Sequence, residues 1–189
     1  MRPAVPAVLA LGANLGDRAA TIRSAVEALG SLAGVRVLRV SGLYETPALK
    51  LTGVDHDAPA YLNAVALIET TLLPHTLLDA VNGVENDFGR VRDERWGDRT
   101  LDVDIVDYDG RESHDERLTL PHPRAAERGF VLVPWLDADN DARLTGHGRV
   151  ADLAARAADR ETVVPYATSS VPGSIDEVAE RSGERGGAR

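Results

Sequence analysis

The sequence of 189 residues contains no cysteine, which excludes disulfide frameworks, thiol nucleophiles and cysteine-ligated zinc. Aromatic residues contribute only 4%, and 21 basic residues stand against 30 acidic ones, for a formal net charge of -9. A chain this acidic does not attract nucleic acid or acidic lipid indiscriminately, so any anionic ligand requires a local basic cluster. No apolar run approaches the roughly 18 residues of a membrane span. We therefore expect neither a nucleic-acid partner nor a membrane.

What remains has the composition of a soluble globular protein, with 43% hydrophobic and 27% charged residues. We assign residues 1–166 to a single domain, which at this length can bury a core without metal or disulfide staples. Residues 167–189 are rich in Ser, Gly, Arg and Glu and predict a flexible tail. The apolar start at 3–11 lacks the basic flank and cleavage pattern of a signal peptide, which predicts a cytoplasmic protein. We also expect a monomer.

Hydrophobic periodicity predicts six elements in the order strand, helix, strand, strand, helix, strand. This order indicates an α+β fold of the ferredoxin-like βαββαβ type, an antiparallel sheet with helices packed on it, plus C-terminal additions. The additions include a turn at 120–123, an apolar stretch at 130–136 and a helix at 150–158. The six elements and the intervening long loop are a strand at 7–11, a helix at 17–30, a strand at 35–44 with a bulge near Leu38, the loop at 46–60, a strand at 61–69, a helix at 74–89 and a strand at 101–108.

Two acids of the last strand alternate with apolar residues. Asp102 and Asp104 flank Val103, so the period of two places both carboxylates on one face, roughly 7 Å apart. Such a pair can hold Mg²⁺ and leave the other octahedral positions to water and substrate phosphates. The alternative is an ordinary strand with one solvated face.

An arginine-rich stretch leads directly into this strand. Arg90, Arg92, Arg95 and Arg99 surround Trp96, and guanidinium groups fit phosphate oxygens in a bidentate manner. The acids of the same stretch could pair all but one of these arginines, which is the alternative interpretation. The adjacency of anion binders to a pair of cation binders favours a nucleotide bound with its magnesium.

Common nucleotide and metal fingerprints are otherwise missing. The sequence has no P-loop, and the turn at 12–16 is not a Gly-x-Gly-x-x-Gly motif. The five histidines show no ligand spacing, which argues against zinc. His122, followed by Arg128 and Phe130, is a third candidate position, with a surface or packing role as the alternative.

Six motifs occur in order between about residues 8 and 154. They are Leu-Gly-Ala-Asn-Leu-Gly-Asp at 11–17, Tyr-Glu-Thr-Pro-Ala-Leu at 44–49, Tyr-Leu-Asn-Ala-Val at 61–65, Gly-Arg-Val-Arg at 89–92, Arg-Trp-Gly-Asp-Arg-Thr-Leu-Asp-Val-Asp-Ile at 95–105 and Leu-Pro-His-Pro-Arg at 120–124. Each motif alone is weakly specific, whereas six in order are very specific. Together they resemble the 6-hydroxymethyl-7,8-dihydropterin pyrophosphokinase family, whose members move the β,γ-pyrophosphate of ATP onto a pterin alcohol in folate biosynthesis.

The resemblance implies a site for ATP with two Mg²⁺ ions. Asp102 and Asp104 would hold the metal, and Arg90 and Arg92 resemble mobile-loop arginines that act in catalysis. The residues implied as ATP contacts are Glu85, Arg99, Ile105, Arg117, Thr119, His122 and Arg128.

The resemblance also implies a site for the pterin. Tyr61 and Phe130 resemble the two aromatics that sandwich the ring, and Asn63 resembles the polar group that reads its edge. A flat heterocycle with donors and acceptors requires such a pairing of stacking surface and fixed partner, which accounts for a polar Asn beside Tyr in an apolar strand. The remaining pocket residues implied are Thr46, Pro47 and Leu49, with Trp96 in a lid over the substrates.

Two other functions remain open on the sequence. A related Mg²⁺-dependent transferase could use the same acids with a different acceptor, and pterin binding distinguishes the two. A non-catalytic binding module is the second alternative, because the fold alone does not determine function. RNA recognition is disfavoured by the few aromatics and the negative charge.

Overall fold

A six-stranded antiparallel sheet organises the chain, whose computed structural model describes residues 2–50, 53–55, 59–89 and 100–167. The helices are α1 (Arg18–Ser31), α2 (Pro74–Asp87), α3 (Gly129–Ala138) and α4 (Val150–Ala154). The strands are β1 (Val5–Ala13), β2 (Val35–Val40), β3 (Tyr44–Thr46), β4 (Ala48–Lys50), β5 (Gly53–Asp55), β6 (Tyr61–Thr70), β7 (Asp102–Tyr108), β8 (Ser113–His114), β9 (Thr119–Leu120), β10 (Arg143–Leu144), β11 (Gly148–Arg149) and β12 (Val164–Pro165).

Strand β1 lies in the middle of the sheet between β6 and β7. Strands β2 and β3 pair with different parts of β6, and β12 pairs with β3, so the sheet reads β12-β3-β6-β1-β7 with β2 beside β6. All of these pairs are antiparallel. The long strands β6 and β1 therefore set the register of the strands that pair with them, β2, β3 and β7.

One face of the sheet packs against α1 and α2. The Asp17 side chain accepts a hydrogen bond from the Ala20 N–H and caps α1, and Pro74 begins α2 at the position where its missing N–H costs nothing. The buried apolar residues of both helices face alternate residues of the central strands, as the periodicity predicts. This cluster includes Leu9, Leu11, Ile22, Leu29, Leu62, Leu77, Val81, Val103 and Ile105.

The opposite face is covered by α3 and α4 over part of its area. Val65 and Val106 of the sheet pack with Leu132, Trp135 and Val150 in a second buried cluster. Helix α3 begins at Gly129. On the same face of the sheet, the strand residues next to this cluster are polar or lack a side chain. They are Gly12, Tyr61, Asn63, Asp102 and Asp104.

The six predicted elements are all present, but several predicted bounds differ from those in the structure. The predicted strand at 35–44 is two strands, because the chain leaves the ladder at Ser41 and Gly42. There the Ser41 hydroxyl accepts a hydrogen bond from the Val65 N–H, and the Gly42 N–H donates to Asp137 Oδ2 at 2.7 Å. The bulge near Leu38 is confirmed by a register shift between Val37 and Arg39.

The predicted long loop at 46–60 is wrong, since it contains the paired strands β4 and β5. Three-residue strands are too short for hydrophobic alternation to reveal. The helix predicted at 150–158 ends earlier, at Ala154. Residues 168–189 of the predicted tail lie outside the described residues, so the boundary at 166 stays a prediction.

Among the described residues, none of the helices has the length and apolar character needed to cross a bilayer.

Candidate active site

The predicted acid pair lies on the open part of the sheet face. Asp102 and Asp104 are partly exposed, whereas Val103 and Ile105 between and after them are buried in the core on the other face. The strand is anchored by Glu85 of α2, which is 0% exposed and whose Oε1 accepts a hydrogen bond from the Val103 N–H at 2.8 Å. Glu85 therefore holds the backbone segment that separates the two acids.

Two cationic or ionisable side chains approach Asp104. Its Oδ2 lies 3.6 Å from His122 Nε2 and 3.5 Å from Arg128 Nη1. The backbone N–H of His122 donates to the Val106 carbonyl of β7 at 2.8 Å, which places the imidazole beside the acid strand. The Arg128 guanidinium lies 5.3 Å from the centre of the Phe130 ring, within the range of a cation–π contact.

The surroundings of His122 favour the neutral form of its imidazole. Burial lowers its pKa from the ordinary 6.5, the negative charge of Asp104 raises it, and the positive charges of Arg128 and Arg124 lower it again. His122 Nδ1 accepts a hydrogen bond from the Arg124 N–H, so the neutral ring carries its proton on Nε2, the atom that faces Asp104. The site thereby presents a neutral N–H donor.

Arg128 carries the fixed positive charge of this group. Burial and the charge of Arg124 lower its pKa, and the carboxylates of Asp104, Asp102 and Asp159 raise it. An arginine stays protonated in proteins despite such shifts. Arg128 thus remains a partly desolvated cation beside two carboxylates.

The predicted pterin residues gather on the neighbouring strands β3 and β6. Asn63 is 6% exposed, and its Nδ2 donates to Thr46 Oγ1 at 2.9 Å. Thr46 is paired in register with Tyr61, whose side chain is partly exposed. The amide of Asn63 is fixed by Thr46, and its carbonyl oxygen points towards β1.

Strand β1 joins the two groups of residues. Gly12 is the register partner of Asn63 on β6 and of Asp102 on β7, so these three residues form one row across the sheet. Ala10 is likewise the partner of Asp104. Two strand spacings separate Asn63 from Asp102, which is about 10 Å. A ligand of that length can therefore contact both.

Gly12 provides the floor between them. A Cβ built there would lie 3.5 Å from Asn63 Oδ1 and 3.9 Å from Tyr61 Cδ1, so the missing side chain leaves the surface beside both residues open. Glycine inside a strand commonly marks the close approach of another group. The sequence predicts a strand that ends at residue 11 and places Gly12 in the following turn, so it assigns Gly12 no role; in the structure β1 extends to Ala13 and includes Gly12.

The remaining predicted site residues lie on other elements, face the core, or fall outside the described residues. Arg117 and Thr119 belong to the β8–β9 hairpin, where Arg117 pairs with Asp79 of α2 and Thr119 Oγ1 donates to the Asp115 carbonyl at 3.3 Å. The Ile105 side chain faces the core rather than the acids. Pro47 follows Thr46 and is partly exposed. Arg90, Arg92, Trp96 and Arg99, and the side chain of Leu49, lie outside the described residues.

Comparisons with known proteins identify the family of this chain. A family model for 7,8-dihydro-6-hydroxymethylpterin-pyrophosphokinase matches residues 8–140. The chain belongs to this pyrophosphokinase family.

Curated relatives carry the same family name. The 2-amino-4-hydroxy-6-hydroxymethyldihydropteridine pyrophosphokinase of Methylorubrum extorquens is 44% identical over 140 residues, which cover 74% of this chain and 86% of the relative. The enzyme of the same name from Haemophilus influenzae is 37% identical over 159 residues, with 84% of this chain and 97% of the relative covered. These matches confirm the predicted family, enzyme class and reaction.

Solved structures show the same fold at low identity. A Plasmodium falciparum HPPK-DHPS chain, A437G with SDX-DHP, aligns with a TM-score of 0.64 at 14% identity and covers 82% of this chain. The alignment spans 46% of that longer chain. At this identity the similarity supports the fold of this chain and not its function.

The neutral state of His122 gives a testable expectation. In EDTA-treated protein, an NMR titration of its imidazole should show a pKa below 6.5, because burial outweighs the charge of Asp104. A lowered folded-state pKa means that the group's contribution to stability is complete above pH about 6.5 and is lost as the pH falls through the folded-state value. Asp104→Asn should lower the pKa further, and a rise in that variant would contradict the assignment.

Proposed function

We propose that this pyrophosphokinase transfers the β,γ-pyrophosphate of ATP to the hydroxymethyl group of 6-hydroxymethyl-7,8-dihydropterin, giving the pterin diphosphate and AMP. The observation that carries the proposal is the row Asn63, Gly12 and Asp102 across three neighbouring strands. It joins a surface suited to a heterocycle with a surface suited to a phosphate–metal group, at a separation that one small substrate can span.

The pterin would occupy the side of β6 and β3. The Asn63 carboxamide, fixed by Thr46, offers donor and acceptor atoms at a buried position. Tyr61 and Phe130 would stack on the two faces of the ring, since aromatic side chains bind a flat heterocycle with little entropic cost. Pro47 and Leu49 complete this pocket in the proposal, on the resemblance to the family.

The acid pair fits magnesium. Mg²⁺ prefers carboxylate oxygens and usually keeps several positions for water and substrate phosphates, so two acids on one partly exposed face suffice. Within the part of the chain that the structure describes, no group of three or more His, Asp or Glu side chains could hold a metal ion. The proposed site therefore needs ligands from water and substrate phosphates in addition to the two acids. Asp102 and Asp104 would hold two ions, which would neutralise phosphate charge when bound.

The remaining side chains would bind and orient the nucleotide. Arg128 supplies a partly buried cation that Asp104 holds in place, and His122 supplies a neutral Nε2–H donor. Glu85 supports this arrangement through the Val103 N–H. Arg90, Arg92 and Arg99, together with Ile105, Arg117, Thr119 and the lid residue Trp96, stay predictions that rest on the resemblance.

In the expected reaction, the pterin hydroxymethyl oxygen attacks the β-phosphorus in line. The bond between that phosphorus and the oxygen bridging to the α-phosphorus breaks, AMP leaves, and the hydroxyl proton passes to solvent. Phosphoryl transfers require mainly positioning and charge stabilisation from the protein, so no side chain is assigned as general base.

Release of AMP tests the proposal directly. Purified protein is mixed with ATP, Mg²⁺ and the pterin alcohol, with one control lacking pterin and one containing EDTA. AMP that forms only when pterin and metal are both present supports the proposal. Binding of ATP without pterin-dependent AMP would instead indicate a different acceptor.

The finer structural predictions belong to the same proposal. The strand order β7-β1-β6-β2, with α1 and α2 on one face, supports the ferredoxin-like arrangement. A cytoplasmic, monomeric protein is part of the proposal as well.

A further inference from the structure

The last described segment of the chain contacts two elements that carry candidate pterin residues, α3 with Phe130 and β3 with Thr46. We call these two elements the walls of the site. We call residues 159–166 the C-terminal strap. The family model ends at residue 140, so the strap lies beyond the part of the chain that this model matches. One end of the strap touches the start of α3, and the other end is paired with β3.

At its first residue the strap is bonded to α3. Asp159 Oδ1 accepts a hydrogen bond from the Gly129 N–H at 2.7 Å. Gly129 is the first residue of α3 and stands between Arg128 and Phe130, so this single bond fixes the backbone between the cation and the aromatic ring. The carboxylate also satisfies one of the N–H groups that a helix leaves without an internal partner.

The contact is too close to admit a side chain at residue 129. A Cβ on Gly129 would lie 2.7 Å from Asp159 Oδ1 and 3.1 Å from the Arg160 N atom. Asp159 also acts electrostatically on Arg128, since its charge favours the protonated guanidinium. Residue 129 and residue 159 are therefore matched to each other across thirty positions of sequence.

At its far end the strap pairs with the other wall. Val164 and Pro165 of β12 are the register partners of Glu45 and Tyr44 in β3, and the Tyr166 N–H donates to the Leu43 carbonyl at 2.8 Å. Strand β3 ends at Thr46, the residue that fixes the Asn63 carboxamide. The guanidinium of Arg18 lies 5.8 Å from the Tyr166 ring centre and 2.9 Å from Glu45, which secures this end.

We propose that Asp159 is a positioning residue for the pterin site, and that the C-terminal strap sets the distance between the wall carrying Phe130 and the wall carrying Thr46. The inference rests on the proposed function for the identity of the ligand. Asp159 acts through Gly129 and touches no substrate.

The test compares Asp159→Ala with Asp159→Asn. Alanine removes the acceptor for the Gly129 N–H, and we expect the KM for 6-hydroxymethyl-7,8-dihydropterin to rise about tenfold or more, because small misplacements of a binding group weaken a site strongly. Asparagine keeps a carbonyl oxygen at the same position and should restore most of the affinity. Asp141→Ala, which removes the same charge from an exposed position near the end of α3, should leave the KM unchanged.

Gly129→Ala provides a second route to the same effect. The added methyl would push Asp159 away, so this variant should also raise the pterin KM. All assays are made well below the melting temperature of each variant, where a merely structural loss of stability would leave the KM of the folded enzyme intact. An unchanged KM in Asp159→Ala overturns the inference, as does an asparagine variant as impaired as the alanine variant.

A readout independent of turnover separates the two proposals. The Gly129 amide hydrogen should exchange with solvent more slowly in the wild type than in Asp159→Ala, because Asp159 Oδ1 accepts its hydrogen bond, and Asp159→Asn should restore most of this protection. If wild-type protein releases no pterin-dependent AMP, the proposed function fails whatever the amide shows. If the wild type is active but its Gly129 amide exchanges as fast as in Asp159→Ala, the positioning role of Asp159 fails alone.

Discussion

Asp104→Asn is expected to lower turnover by about a hundredfold or more while the protein stays folded. The carboxylate is partly exposed on the open face of β7, so its loss leaves no cavity and no unpaired buried group in the core. Its Oδ2 lies, however, 3.6 Å from His122 Nε2 and 3.5 Å from Arg128 Nη1, and Asp104 is one of the two acids proposed to hold Mg²⁺. The change keeps the shape of the side chain and removes only its charge.

The measurement is AMP release at saturating ATP and pterin over a range of Mg²⁺ concentrations, together with a thermal unfolding curve. Asp109→Asn is the matched control, because it removes the same charge just beyond the end of β7. Its backbone has a φ of 53°, a conformation that asparagine accepts readily. Activity near the wild-type level in a folded Asp104→Asn protein would refute the metal assignment.

Gly12→Ala and Gly12→Val are both expected to fold. Both should bind the pterin more weakly than the wild type, and the valine variant should bind it most weakly. A Cβ at residue 12 meets Asn63 Oδ1 at 3.5 Å and Tyr61 Cδ1 at 3.9 Å, which are ordinary van der Waals distances, so the empty protein accepts the first methyl. A bound ring reaching from Asn63 towards Asp102 must cross this position. Overpacking of a filled site costs about 1–3 kcal/mol, which corresponds to a loss of affinity of about fivefold to more than hundredfold.

Equilibrium binding of the pterin alcohol in the absence of ATP measures this effect without involving the chemical step. Gly83→Ala is the control, because it adds the same methyl to an exposed position of α2 where a Cβ meets nothing within 4 Å. A methyl there should leave pterin binding unchanged and favour the helix slightly. Equal affinities for wild type and Gly12→Val would show that the ligand does not cross β1 at this row.

Much of the site follows from local alternation. A period of two along β7 predicts that Asp102 and Asp104 share a face, and the same period along β6 predicts that Tyr61 and Asn63 do; the structure confirms both pairs. The helix starts at Asp17 and Pro74 were likewise predictable, because capping residues act within one turn of chain. These features depend on residues only a few positions apart.

Other features could not be read from neighbouring residues. The division of 35–44 into two strands depends on Asp137 of α3, which takes the Gly42 N–H out of the ladder. The approach of His122 and Arg128 to Asp104 depends on how the chain after β9 folds back over β7. The bond between Asp159 and Gly129 joins segments thirty positions apart, and no local pattern marks it.

Six ordered motifs are enough to identify the family, and strand and helix periods predict which side chains share a face, because these periods are properties of the local backbone. The row of Asn63, Gly12 and Asp102 is known only from the folded chain, since register between strands is set by the packing of the whole sheet against its two layers of helices. The same is true of the strap and its contacts with both walls of the site, because contacts between distant segments form only when the buried core brings their ends together.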